Sequence, residues 1–189
     1  VGLAEVGLSR AMFGDDDSLD KPAEGGNAFV NVWLFSLGMS FIIAGFCEEA
    51  LKFYIANRLF QKYDNPHACV VLSLSGALGF ATLENLFYSF MGGFDTVLVR
   101  AAVSVPVHAL CGALIGVSLA KRKFVEQAET ASFLKTIWLP VLIHGTFDFV
   151  LILLTRSGKA SDDQYLWVPF VSCALVIVLA LTIFCWRWR

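Results

Sequence analysis

Charge is what this sequence has least of. Only 16% of its 189 residues are Asp, Glu, Lys or Arg, against about a quarter in an ordinary soluble domain. That shortage excludes a solvated globular surface, and nothing forms the basic patch that nucleic acid needs. The five cysteines (Cys47, Cys69, Cys111, Cys173 and Cys185) show no CxxC pairing, so they read as small apolar packing residues. The HExxH signature of zinc peptidases and the GxSxG elbow of serine hydrolases are also missing. Histidine is scarce, with three in the chain, which makes the position of each one informative.

What the chain has in excess is apolar length. Hydrophobic residues make up 57% of it, the mean hydropathy is +0.69, and they collect in blocks of the roughly 20 residues that cross a bilayer as helix. The fold class this implies is an all-α, polytopic integral membrane helix bundle of about five transmembrane helices. The spans are expected near 36–60, 67–90, 96–120, 132–154 and 165–186. The first apolar block, from about Ala28 to Phe60, is too long for one straight span, and Gly38 and Gly45 are candidate bend points. Residues 1–27 form a polar arm with the run Asp15-Asp16-Asp17, a solvated tail or a docking site for a larger membrane complex. Residues 28–189 form the transmembrane domain, in contact with membrane lipids. Lys and Arg gather at Arg58, Lys62, Lys121, Arg122, Lys123, Lys135, Arg187 and Arg189. That side is therefore cytoplasmic-like and holds the C-terminus, with the N-terminus outside or lumenal. The end Trp186-Arg187-Trp188-Arg189 has the make-up of an interfacial anchor.

Ionisable residues at membrane depth cost a few kcal/mol or more, so chains keep them where they face protein or a wet cavity. Here they are Glu48, Glu49, Lys52, Glu84, Arg100, His108, His144 and Asp148. His108 and His144 each lie about 13 residues into a block, near mid-membrane at 1.5 Å per residue. A first span beginning near Ser36 brings Glu48 and Glu49 level with them. Lys52 follows Glu48 by four and Glu49 by three, within reach of either carboxylate. Glu84 and Tyr88 share a helix face, as do His144 and Asp148, and Asp148 is placed to fix the tautomer of His144. The MGGFD turn makes the second and third blocks antiparallel neighbours, which sets Glu84 beside Arg100 as an ion pair. A ligand or catalytic carboxylate is the alternative for Glu84. Gly112 and Gly116 after His108, and Gly76, Ala77 and Gly79 in the preceding block, suit close helix approach.

These residues resemble a family. EEALK (48–52), GFATLENLFY (79–88), Arg100, HALCG (108–112) and HGTFD (144–148) stand in the order seen in PrsW-type intramembrane proteases. The pattern is also similar to that of the CAAX-prenyl-protease and bacteriocin-processing relatives, with Lys52 in place of their arginine. The resemblance spans about residues 45 to 150. It implies a polytopic endopeptidase that cuts membrane-anchored or membrane-proximal polypeptides. It also implies that Glu48, Glu49, His108, His144 and Asp148 are the catalytic residues. Lys52, Glu84, Asn85, Tyr88 and Arg100 stand as the supporting set.

Two chemistries fit that set. In one, Glu49 or Glu48 is the general base for water, and a histidine polarises the carbonyl or protonates the leaving amine. In the other, Glu49, His108 and His144 hold a metal ion, with zinc suited to three N/O ligands and a water. Outside enzymology, a catalytically idle PrsW-like scaffold subunit of a larger assembly is the main alternative. A proton or ion relay is a further one.

Overall fold

The computed structural model describes residues 26–62, 64–126, 132–156 and 167–187. All but the last two residues of the expected N-terminal arm lie outside them, as do Trp188 and Arg189 of the terminal anchor. Helix is the only regular structure among the described residues. The elements are α1 (Gly26–Leu37), a π-helical segment (Gly38–Glu48), α2 (Glu49–Phe60), α3 (Pro66–Phe124), α4 (Phe133–Arg156) and α5 (Val168–Arg187).

α1, the π segment and α2 form one continuous rod. Its stretch Val30–Phe60 is long and apolar enough to cross a membrane, and the narrower span expected at 36–60 lies inside it. Gly38, a suspected bend point, opens the π segment, and Gly45 sits near its end. The widened turn ends at Glu48, so the geometry changes between the two glutamates. π-helical geometry is rare, and where it interrupts an α-helix it frequently lies at a functional site.

α3 begins at a clear signal. The Asn65 side chain accepts a hydrogen bond from the His67 backbone N–H at 2.9 Å, and Pro66 opens the first turn. Lys121, Arg122 and Lys123 close its last turn, where cations oppose the negative end of the helix dipole. Between these ends the backbone stays helical but its axis reverses. Arg100 Nε donates to Asn85 Oδ1 at 2.9 Å across 15 residues, a separation of about 22 Å along a straight rod. The two arms, Pro66–Phe90 and Val97–Phe124, are each long and apolar enough to span, as the MGGFD turn led us to expect. Phe133–Leu154 within α4 is the fourth such stretch, and α5 has a shorter apolar part, Val168–Leu179.

The second arm of α3 is the centre of the bundle. Val103, Val107, Cys111 and Leu114 pack against Leu139, Ile143 and Phe147 of α4 and Cys173 and Val176 of α5. Ile115, Leu119 and Ala120 pack against Phe53, Ala56 and Phe60 of α2. Small residues set the distances. A Cβ at Gly116 would meet Val70 Cα at 2.7 Å and Cys69 O at 3.0 Å, and one at Gly112 would meet Ser73 O at 2.9 Å. Gly45 lies against the backbone of Val141 and Gly145, and Gly145 against the Phe41 ring. The expectation for Gly76 and Gly79 fails: open space surrounds both. The expectation holds for Ala77, which with Ser73 makes the close contact with Gly112, and both are buried.

This contrast gives a paired test. Gly116→Ala should lower the thermal midpoint in detergent micelles, at about 1–3 kcal/mol for overpacking. Gly76→Ala should leave it unchanged or raise it, since alanine is the better helix former by about 1 kcal/mol.

Candidate active site

The site is assembled around α2. Glu49, its first residue, is fully buried, and three residues later the Lys52 ammonium lies 2.6 Å from Glu49 Oε1. Lys52 is buried as well, with Glu48 Oε2 at 3.8 Å. One helix thus carries a cation and its counter-charges into the bundle at i,i+3 and i,i+4 spacing. Lys52 Nζ also lies 2.8 Å from His108 Nδ1 and 4.9 Å from the centre of the Phe80 ring. An ammonium can only donate, so His108 Nδ1 accepts and the ring carries its proton on Nε2.

His144 meets this pair from α4. Its Nδ1 lies 2.8 Å from Glu49 Oε1, as an N–H donating to a carboxylate. Its Nε2 faces Asp148 Oδ2 at 3.3 Å and Glu48 Oε2 at 3.8 Å. Asp148 therefore sits on the ring as the i,i+4 spacing suggested, but the partner at Nδ1 is Glu49. The close backbone contact of Gly45 with Val141 and Gly145 holds the rod against α4 one turn from these residues. The His108 and His144 rings meet edge to face, with centroids 4.7 Å apart.

The α3 hairpin supplies the rest. Glu84 Oε1 pairs with Arg100 Nη2 at 2.8 Å, the expected ion pair between the arms. The other oxygen, Oε2, lies 2.9 Å from His108 Nε2, close but off the line of a hydrogen bond. Arg100 also donates to Asn85 Oδ1 and Ser104 Oγ, and its guanidinium lies 3.7 Å from the centre of the Tyr88 ring.

Every residue singled out from the sequence belongs to this one connected cluster, drawn from three separate stretches of chain. Access differs among them. Glu48, Glu84 and Asp148 keep about a fifth of their side-chain surface open (21%, 21% and 19%), while Glu49, Lys52, His108 and His144 are enclosed. Three carboxylates therefore rim a buried core of two histidines, one carboxylate and one ammonium. The donor atoms of Glu48, His108 and His144 lie within 4.8 Å of one another. The sequence expectation put Glu49 in that set; the group the structure brings together has Glu48, while Glu49 Oε1 is engaged by Lys52 and His144. Glu48 Oε2, Glu49 Oε2, Glu84 Oε2 and His108 Nε2 are all buried with no hydrogen-bond partner; the Nε2–H can donate to a water, and would have to lose its proton to hold an ion. Two nitrogens and one oxygen are a donor set of the kind that holds a divalent metal ion.

Sequence reading missed Phe80, whose ring lies beside both Lys52 and His108. Its one signal is a position four residues before Glu84. Ser104, one turn before His108, accepts a hydrogen bond from Arg100 Nη2 at 3.2 Å.

A family model described as PrsW family intramembrane metalloprotease matches residues 25–182. A protein called Protease PrsW from Bacillus subtilis (strain 168) is 34% identical over 157 residues, 81% of this chain and 66% of that protein. One of the same name from Geobacillus kaustophilus (strain HTA426) is 32% identical over 122 residues, 63% of this chain and 54% of that protein. Another from Halalkalibacterium halodurans is 31% identical over 135 residues, covering 70% and 60%. The chain spans 54–66% of the length of these relatives. No solved structure matches.

The geometry separates the two adjacent glutamates. Glu49→Ala strands a buried ammonium and should destabilise the protein by about 3–5 kcal/mol. Glu48→Gln, at a partly open position 3.8 Å from Lys52, should cost under about 1 kcal/mol. Denaturation in detergent, followed by circular dichroism, reads both.

Proposed function

The chain belongs to the PrsW family of intramembrane proteases, and on that premise we propose that it is an endopeptidase cutting membrane-anchored or membrane-proximal polypeptides. The observation that carries this reading is the convergence of Glu48, Glu49, Lys52, His108, His144 and Asp148 on one buried cluster. An inert scaffold subunit has no physical reason to gather them, since each costs free energy at membrane depth.

The roles follow from access and hydrogen bonding. Glu48 takes the proton of the attacking water, as the member of the EE pair that is partly open. Water oxygen adds to the scissile carbonyl carbon, and the C–N bond then breaks as the amine nitrogen takes the proton on His108 Nε2 while Lys52 passes a proton to Nδ1, 2.8 Å away. The proton held by Glu48 returns to His108 Nε2 as Nδ1 gives its proton back to Lys52, restoring both for the next turnover. His144, fixed by Glu49 at Nδ1, turns its Nε2 edge to the reacting group between Glu48 and Asp148. Glu49 is a positioning residue, engaged by Lys52 on one side and His144 on the other.

Glu48, His108 and His144 are also the residues that would hold a divalent ion. Such an ion, when bound, supplies Lewis acidity at the water or the substrate carbonyl. Membrane lipids surround the apolar spans. The N-terminus lies on the outer or lumenal side and the C-terminus on the positive side, by the distribution of Lys and Arg. The acidic arm of residues 1–27 is the docking element for any larger assembly.

In proteoliposomes carrying a single-span test substrate, Glu48→Gln and His144→Ala should each slow cleavage by about 100-fold or more. Equal processing by wild type and both variants would refute the protease reading. Elemental analysis separates the two chemistries. A stoichiometric ion lost in His108→Ala puts Glu48 on the metal, and an active preparation without one leaves Glu48 as proton acceptor.

A further inference from the structure

The hydrolytic roles above leave one partly buried polar cluster unused: Glu84, Asn85, Tyr88, Arg100 and Ser104, at the contact of the two α3 arms. Resting on the reading just given, we propose that the Arg100–Glu84 pair is a positioning unit for the reaction, acting through His108.

The division of the Glu84 carboxylate carries the argument. An ion pair built only to join two helices gains most from fork-to-fork geometry, with both oxygens on the guanidinium. Here Glu84 gives one oxygen to Arg100 Nη2 at 2.8 Å and turns the other to His108 Nε2 at 2.9 Å. Arg100 is itself held, with Nε on Asn85, Nη2 on Ser104, and its plane over Tyr88. A fixed guanidinium fixes the carboxylate, and the carboxylate meets the imidazole. On the far side of that ring Lys52 Nζ lies 2.8 Å from Nδ1. His108 thus has a hydrogen-bond donor at Nδ1 and a carboxylate oxygen 2.9 Å from Nε2. The donor at Nδ1 selects the Nε2–H tautomer, and the negative charge beside Nε2 favours the ring orientation that turns this N–H toward Glu84. Two consequences are specific. Lysine cannot replace Arg100, because a single ammonium cannot serve Glu84, Asn85 and Ser104 in that fixed fork. Glutamine at 84 keeps an oxygen for His108 and should retain part of the function.

Removing one partner of a buried pair risks unfolding, so the deciding variant removes both. Replacing the two partners together with apolar side chains is often close to neutral for stability. The double variant Glu84→Met/Arg100→Met should therefore fold with a thermal midpoint near wild type. Its kcat on a single-span test peptide with a quenched fluorophore pair should fall about 10- to 100-fold, with KM within about twofold. Glu84→Gln should lie between the two. An independent readout is 15N NMR of histidine-labelled protein in vesicles, which has three signals to assign (His67, His108, His144). The His108 signals should show the Nε2–H tautomer in wild type and lose that single state in the double variant. Wild-type kcat in a folded double variant, or unchanged His108 signals, would overturn the proposal and leave the pair as a link between arms. Glu48→Gln in the same vesicles separates this failure from failure of the protease reading. If Glu48→Gln keeps full turnover, that reading falls, and the NMR comparison alone decides the positioning role.

Discussion

An ammonium buried among membrane helices must be matched by negative charge, and the site is organised by how Lys52 is matched. Glu49 supplies the direct counter-charge from the same helix, 2.6 Å away. Alone, that pair would be two charges taken out of water at a cost of several kcal/mol per ion. It persists because each member has further partners: Glu49 holds His144 from α4, and Lys52 holds His108 from α3. The pair joins three stretches of chain at one point. The residues with outward access, Glu48, Glu84 and Asp148, are arranged around it.

Close approach of backbones brings these side chains within hydrogen-bond reach. Polar groups span only about 3 Å, so helices held apart by large residues would leave them unpartnered. Gly112 and Gly116 bring the α3 arms together, and Gly45 with Gly145 brings the rod against α4. The π-helical segment ends at Glu48. Its wider turn sets the phase at which the two glutamates enter the bundle. Packing and chemistry are therefore coupled: the glycines fix separation, the π segment fixes rotation, and the ion pair fixes register.

Much of this could be read from residues alone because ionisable groups are rare in the apolar blocks and so stand out. The Glu84–Arg100 pair followed from the hairpin, since antiparallel neighbours joined by a short turn place equal offsets at equal depth. What stayed hidden depends on rotation about a helix axis. Adjacent residues differ by about 100°, so whether Glu48 or Glu49 faces the open side turns on the phase of the π segment, which has no sequence signature here. Gly76 and Gly79 look as suited to packing as Gly112 and Gly116, yet only the second pair faces another helix. Phe80 is one aromatic residue among many, and its place beside Lys52 emerges only when three helices are assembled.

The central claim is that Glu49 and Lys52 form a charge-compensated core on which the site depends. A double-mutant cycle with Glu49→Leu, Lys52→Met and the pair together tests it most directly, by unfolding free energy in detergent or bicelles. The account predicts that each single change destabilises strongly and that the double variant recovers, with a coupling of about 2 kcal/mol or more. Two losses that simply add would contradict it.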